Sequence, residues 1–398
     1  MAQAALDHLK VIELGDFISA PYAGKLLADL GADVIKVEPP GGDRARAHGP
    51  FPGDEPHLER SGLFLFLNAN KRSVLLDLET AEGRADFKQL VAWADVILHN
   101  LPPADLERWG LTYELLSADH PALVMVSITV FGYDTPYRDW KGYALNATVA
   151  SGVTFRIGDP DRSPLWIPYC ASDFQGGVHG AVTALLALRA RRATGEGQHG
   201  WISIVEVMGV YLGGAGIPMF LYQGQLRGRS GKHMAAFYPW QVVEAADGYV
   251  EVITMVDAQW QRFVELMGNP PWQEDERLQN RWLAFQWAEE LDAYWHPWIR
   301  ERSKAELAEL FAANHISFQP VHTVDEVVAS EHLAVRGFWQ EVDHPVVGRY
   351  RTLGPPYGLS ETPWSIRRPP PLLGQHTDEV LAALRAGASV AAPAGDGG

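Results

Sequence analysis

The chain has 398 residues, 47% of them apolar and 21% charged, a globular composition that excludes wholesale disorder. A net charge of −16 leaves no basic surface for neutralising a nucleic-acid backbone, and no basic amphipathic stretch of the kind that rests on membranes. The single cysteine, Cys170, makes neither an internal disulfide nor a cysteine-rich zinc site, which fits a reducing cytoplasm.

At roughly 100–200 residues per domain, the length predicts more than one domain. The first ten residues hold no long apolar core, so no signal peptide is predicted there. Short apolar runs at 11–14, 33–38, 73–78, 95–98 and 123–128 predict strands. Helical patterns at 20–30, 80–93 and 103–109 separate them. Nearly continuous apolar strands alternating with helices predict a Rossmann-like parallel α/β sheet covered on both faces. Ligands of such sheets sit outside the carboxyl ends of the strands. A long helix is predicted over 174–192 and a strand over 200–205. The apolar stretch 207–222 is shorter than the roughly 20 residues that span a bilayer, and glycines interrupt it, so it is read as buried core. The composition turns polar over 223–232, a predicted linker. Beyond it come a strand at 249–254, a helix at 258–267 and a helical stretch at 289–313 broken at Pro297. The predicted organisation is a large domain over 1–224, a smaller α+β domain over 225–325, a return to the large domain over 326–385 and a flexible tail over 386–398.

The first strand leads into Gly15-Asp16-Phe17-Ile18, which is not the GxGxxG of a dinucleotide site, so a nicotinamide enzyme is not expected. No P-loop, GxSxG elbow or HExxH is present, and the 14 histidines show no metal-ligand spacing. Three clusters stand out instead. Pro39-Pro40-Gly41-Gly42-Asp43-Arg44-Ala45-Arg46 follows the second strand, and Asn68-Ala69-Asn70-Lys71-Arg72-Ser73 precedes the third. Each couples pliable backbone to cations, which suits a phosphate-bearing ligand, though solvated loops read the same way. The third cluster is Ala171-Ser172-Asp173-Phe174-Gln175-Gly176-Gly177, at a helix start. Taken alone, Asp173 reads as an N-cap; the functional reading is a carboxylate kept ionised by the helix terminus. The glycine pair would let a backbone or a bulky ligand come close.

These clusters, in this order, resemble the class III CoA-transferases, the family of formyl-CoA:oxalate and carnitine CoA-transferases. Leu26-Leu27-Ala28-Asp29-Leu30-Gly31-Ala32-Asp33-Val34-Ile35-Lys36-Val37-Glu38 resembles the family's first block. Asn70-Lys71-Arg72-Ser73 with Leu76-Asp77-Leu78 resembles the second, and Val126-Ser127-Ile128 with Phe131-Gly132 the third. Asp173 with Gly176-Gly177 and Gly195-Glu196-Gly197-Gln198 resembles the fourth, and Pro371-Leu372-Leu373-Gly374-Gln375-His376-Thr377 the last. The resemblance implies an interlocked, ring-shaped homodimer whose large domain binds CoA. It implies an acyl-CoA and a free carboxylic acid as substrates and no metal or redox cofactor. It implies that Asp173 is the nucleophile, passing through a mixed anhydride and an aspartyl-CoA thioester. CoA contacts carry over to Asn70, Lys71 and Arg72, to Asn100, Leu101 and Arg108, to Lys141, and with the loop residues to Phe17 and Arg44.

The departures carry information too. Asn100-Leu101-Pro102-Pro103-Ala104 lacks the arginine of the family's Asn-Phe-Arg-Pro-Gly, and Ile18 stands where formyl-CoA transferases have glutamine. An apolar residue cannot donate to oxalate, so another acid is expected. Trp140, Trp166, Tyr169 and Trp240 suggest a larger or less polar one. The same fold hosts α-methylacyl-CoA racemases, but Tyr143 occupies their histidine position and His179 and His199 are out of register. A non-catalytic CoA binder is the remaining alternative.

Overall fold

The computed structural model describes residues 4–214, 216–234, 236–387 and 390. The chain divides into two compact units. One holds Met1–Val153, Ile167–Gly214 and His332–Gly398; the other holds Thr154–Trp166 and Ala215–Glu331. The expected division lay at 225 and 325, and the short segment Thr154–Trp166 belongs to the second unit rather than to the surrounding first.

The first unit is built on β1 (Lys10–Leu14), α1 (Ser19–Asp29), β2 (Asp33–Glu38), β3 (Lys71–Leu75), α2 (Ala81–Trp93), β4 (Val96–His99), α3 (Pro103–Trp109), β5 (Val124–Thr129), α4 (Ala171–Thr194) and β6 (His199–Ser203). The strands form one parallel sheet in the order β3-β2-β1-β4-β5-β6. This is the doubly wound order, which opens a crevice where the chain reverses direction between β1 and β4. Alternate residues of each strand face opposite sides. Val11, Val34, Val96 and Val126 pack with α1 and α4, while Ile12, Ile35, Ile97 and Met125 pack with α2. Burial on both faces explains the apolar runs.

β3 begins two residues earlier than its apolar pattern, because Lys71 and Arg72 are strand residues buried against acidic partners. It is also an edge strand, and the closing segment of the chain covers it. Ser73 N–H donates to His376 Nδ1 at 3.2 Å and Leu75 N–H to Thr377 Oγ1 at 2.9 Å. These bonds satisfy donors that an open edge would leave exposed.

The second unit pairs β7 (Trp240–Ala245), β8 (Gly248–Ile253) and β9 (Ser317–Pro320) antiparallel, with α5 (Asp257–Leu266), α6 (Ala288–Arg300) and α7 (Lys304–Ala313) supplying its core. The helical break expected at Pro297 falls instead at Ser303. Pro297 sits in the last turn of α6, and the helix continues past it to Arg300. Ser303 and Glu306 form a capping box, with Glu306 N–H donating to Ser303 Oγ at 3.2 Å and Ser303 N–H to Glu306 Oε2 at 2.8 Å.

The chain then adds a β10–β11 hairpin (Trp339–His344, Gly348–Leu353) and α8 (Thr377–Arg385) to the first unit. Most of the expected tail, 386–398, lies outside the described residues, although Val390 is buried. The stretch 207–222 is not the buried core expected of it. Val207 and Met208 are buried, but Val210, Tyr211, Phe220, Leu221 and Tyr222 are exposed. Short glycine-broken helices turn these side chains outward. Among the described residues no single helix is long and apolar enough to cross a membrane.

Candidate active site

A groove lies at the carboxyl ends of the first four strands. Leu14 at the end of β1 and Gly15 and Asp16 beyond it line the groove, with Val37 of β2 and Pro39 and Gly42–Arg44 beyond that strand. The loop after β3 adds Leu76, Asp77, Leu78 and Glu79, and the β4–α3 segment adds Leu101 and Trp109. Its lining mixes apolar side chains with the charged Asp16, Asp43, Arg44, Asp77 and Glu79. That suits a ligand with a flat or aliphatic body and polar ends.

Charged residues buried in the sheet hold the loops of this groove. Lys36 Nζ bonds Glu13 Oε1 at 2.8 Å and the Gly15 carbonyl at 3.1 Å, and lies 2.6 Å from Asp43 Oδ2. Burial disfavours the Asp43 carboxylate, but Lys36 overrides it and holds Asp43 well below the usual carboxylate range. Asp43 Oδ1 accepts the backbone N–H of Phe17 at 2.9 Å and of Ala45 at 2.7 Å. Phe17 is thereby fixed at φ 67°, a left-handed conformation unusual for an aromatic residue. Asn100 completes the clamp. Its Oδ1 accepts the Asp16 N–H at 2.9 Å, and its Nδ2 donates to the Asp16 carbonyl at 2.7 Å and to Ser19 Oγ at 3.0 Å.

Asp173 stands in the first turn of α4. It is not the helix cap; Cys170 holds that position, and the Asp173 carboxylate has no hydrogen-bond partner among the described residues. Its residue exposure is 9%. Burial raises the carboxyl to about 6 against the opposing pull of the Arg44 charge. Gly177 lies one turn further on, on the same helix face. A Cβ there would stand 2.7 Å from the Ser19 carbonyl oxygen and 3.0 Å from Tyr22 Cβ. The bare glycine therefore lets α4 close onto α1, and a protein backbone, not a ligand, takes the space. Asp173 is carried to the side of the loop that bears Asp16 and Phe17.

The structure gathers only some of the residues expected to touch CoA. Phe17, Arg44 and Leu101 lie together at the groove or its clamp. Asn70, Lys71 and Arg72 do not. Lys71 Nζ donates to the Pro21 carbonyl at 2.7 Å and Asn68 Oδ1 at 2.8 Å and lies 2.6 Å from Glu13 Oε2. An ammonium has three protons, so none is left for a phosphate. Arg72 is buried against Asp33. Asn70 Nδ2 donates to Asp29 Oδ1 and the Ser365 carbonyl, each at 2.8 Å, while its Oδ1 accepts the Arg367 N–H at 2.6 Å. These three tie the sheet to the returning chain. Asn100 acts on the loop rather than facing the groove. Arg108 is exposed beside the groove and pairs with Glu79 and with Asp105, the latter at 2.9 Å. Lys141 is exposed in a loop. Sequence reasoning missed Leu76–Glu79 and Trp109, although the rule that ligands sit beyond strand ends pointed to the residues after β3.

The fold and groove define a doubly wound α/β protein with a ligand crevice at its topological switch point. A family model described as CoA-transferase family III matches residues 6–377. The chain is 33% identical to succinyl-CoA–D-citramalate CoA-transferase of Chloroflexus aurantiacus, covering 95% of this chain and 94% of that one. It is 32% identical to succinate–glutarate CoA-transferase of Agrobacterium fabrum, covering 95% of each. A CaiB/BaiF family protein from Brucella suis superimposes with a TM-score of 0.85 at 31% identity, covering 96% of this chain and 100% of that chain. This protein belongs to CoA-transferase family III and is an acyl-CoA-dependent CoA-transferase.

Proposed function

We propose that the protein moves CoA from succinyl-CoA to a free carboxylic acid, with Asp173 as the covalent carrier. The carrying observation is a buried carboxylate without a hydrogen-bond partner among the described residues, in the first turn of α4. A carboxylate relieved of hydrogen bonds and water is a stronger nucleophile than one in solvent. The name of the Chloroflexus aurantiacus relative supplies the succinyl-CoA donor.

In the first half-reaction an Asp173 oxygen attacks the thioester carbonyl. The C–S bond breaks, CoA leaves as thiolate, and a mixed anhydride remains. The thiolate attacks the aspartyl carbonyl, releasing succinate and forming aspartyl-CoA. The acceptor carboxylate then attacks the same carbonyl and expels the thiolate, which finally attacks the acceptor's acyl carbon. Acceptor acyl-CoA leaves and the Asp173 carboxylate is regenerated, with no net proton or electron change. The apolar lining of the groove suits the adenine or the pantetheine arm. CoA thioesters act as substrates here, and none of these steps calls for a cofactor.

We also infer self-association, supported by the exposed Val210, Tyr211, Phe220, Leu221 and Tyr222. A ring-shaped homodimer and a cytoplasmic location complete the reading. Acceptor acid labelled with 18O tests the mechanism. One acceptor oxygen is left on the carrier in each turnover, so label is expected in the peptide containing Asp173. Sustained turnover with no label in that peptide contradicts the proposal.

A further inference from the structure

Arg44 is the cation that joins the groove to Asp173. It lines the groove, with its side chain 60% exposed. Its backbone N–H donates to Asp16 Oδ1 at 2.9 Å and its Nε binds Asp16 Oδ2. The guanidinium lies over the Phe17 ring, 5.6 Å from the centroid. These contacts aim the group but use only one side of it. Among the described residues Nη1 and Nη2 have no hydrogen-bond partner. The outer edge of an arginine, carrying two parallel N–H donors, is the edge that takes a carboxylate in bidentate fashion.

We propose that this open edge of Arg44 reads the distal carboxylate of a dicarboxylic acyl group whose other carboxyl reacts at Asp173. The inference rests on Asp173 being the acyl carrier. A phosphate of CoA is the competing ligand, but the phosphates lie a full pantetheine arm away from the thioester. Asp16, which holds Arg44, lies three residues before Ser19, and the Ser19 carbonyl comes against Gly177, one turn along α4 from Asp173, which puts the guanidinium at the reacting end. Trp140 packs on Tyr137 at 4.3 Å and on Phe131 at 6.0 Å, a cluster of its own.

The test compares succinyl-CoA with butyryl-CoA, the same four-carbon chain with and without the second carboxylate. Formation of the Asp173–CoA adduct is followed in single turnovers by quenched-flow mass spectrometry. The wild type should strongly prefer succinyl-CoA, and Arg44→Gln should lower kcat/KM for succinyl-CoA by about 100-fold, the scale of a lost charged hydrogen-bond pair. At pH 8, above the acid limb of Asp173, butyryl-CoA should change by less than about threefold, and the affinity for free CoA should be unchanged. Equal loss with both thioesters, or weakened CoA binding, would assign Arg44 to Asp173 or to phosphate and overturn the proposal. A wild type that uses both thioesters equally well overturns it without any variant. A wild type that forms no Asp173 adduct with either thioester would instead remove the carrier reading beneath it.

Discussion

Lys36 Nζ lies 2.6 Å from Asp43 Oδ2, and neither side chain reaches solvent. The pair links the core of the sheet to the loop that shapes the groove, because the other Asp43 oxygen holds Phe17 in place. Removing one partner of a buried ion pair strands the other charge and costs about 3–5 kcal/mol. Lys36→Met is therefore expected to lower unfolding free energy in urea by about that amount, and to weaken CoA binding as the loop loosens. A change below about 1 kcal/mol would show that the network does not carry the loop.

Asp173 should cost the protein stability. Its folded-state pKa, about 6, lies above the ordinary 3.8, so between these values the folded state holds the proton more tightly than the unfolded state does. The penalty is absent below the unfolded value, grows as pH rises through this window and is complete above about 6. Asp173→Asn should abolish CoA transfer yet raise stability by roughly 2–3 kcal/mol at pH 8, with the gain vanishing near pH 4. Denaturant unfolding at the two pH values measures this. An unchanged or lowered stability at pH 8 contradicts the burial argument.

The same carboxyl sets an acid limb on catalysis, since only the ionised form attacks. kcat/KM for the first half-reaction should level off above about pH 6 and fall tenfold per unit below it. An ordinary aspartate would keep the limb near 4. In Arg44→Gln the limb should move to higher pH, because the charge that pulls the Asp173 carboxyl down is gone. Quenched-flow detection of the aspartyl-CoA adduct gives the profile.

Gly177→Ala tests the approach of α4 to α1. Alanine is the better helix former by about 1 kcal/mol, but a new Cβ 2.7 Å from a backbone oxygen cannot be relieved by a side-chain movement. Overpacking of this kind costs about 1–3 kcal/mol, so net destabilisation is expected together with a fall in kcat. Gly209→Ala is the control. It has nothing within 4 Å of the new Cβ and a helical backbone, and should be neutral or slightly stabilising.

The sheet was legible because its strands are buried on both faces: the run at 33–38 coincides with β2 from end to end. Asp173 was legible through the resemblance, while its geometry was not. As a sequence feature it reads as a cap, and only the fold shows Cys170 in that place. Lys71 and Arg72 misled for a physical reason. A cation in a loop and a cation buried in a strand look alike until partners far along the chain, Glu13 and Asp33, are known. Their burial also displaced the predicted start of β3, and with it the loop 76–79 that lines the groove. The apolar stretch at 207–222 misled in the opposite sense, since hydrophobicity reports that a surface is covered without saying whether the same chain covers it.

The most direct measurement is mass spectrometry of the protein mixed with succinyl-CoA, quenched with hydroxylamine and digested. The account predicts a hydroxamate on Asp173, dependent on the thioester and absent from Asp173→Asn. A hydroxamate on another residue, or steady CoA transfer with Asp173 unmodified throughout, would contradict it.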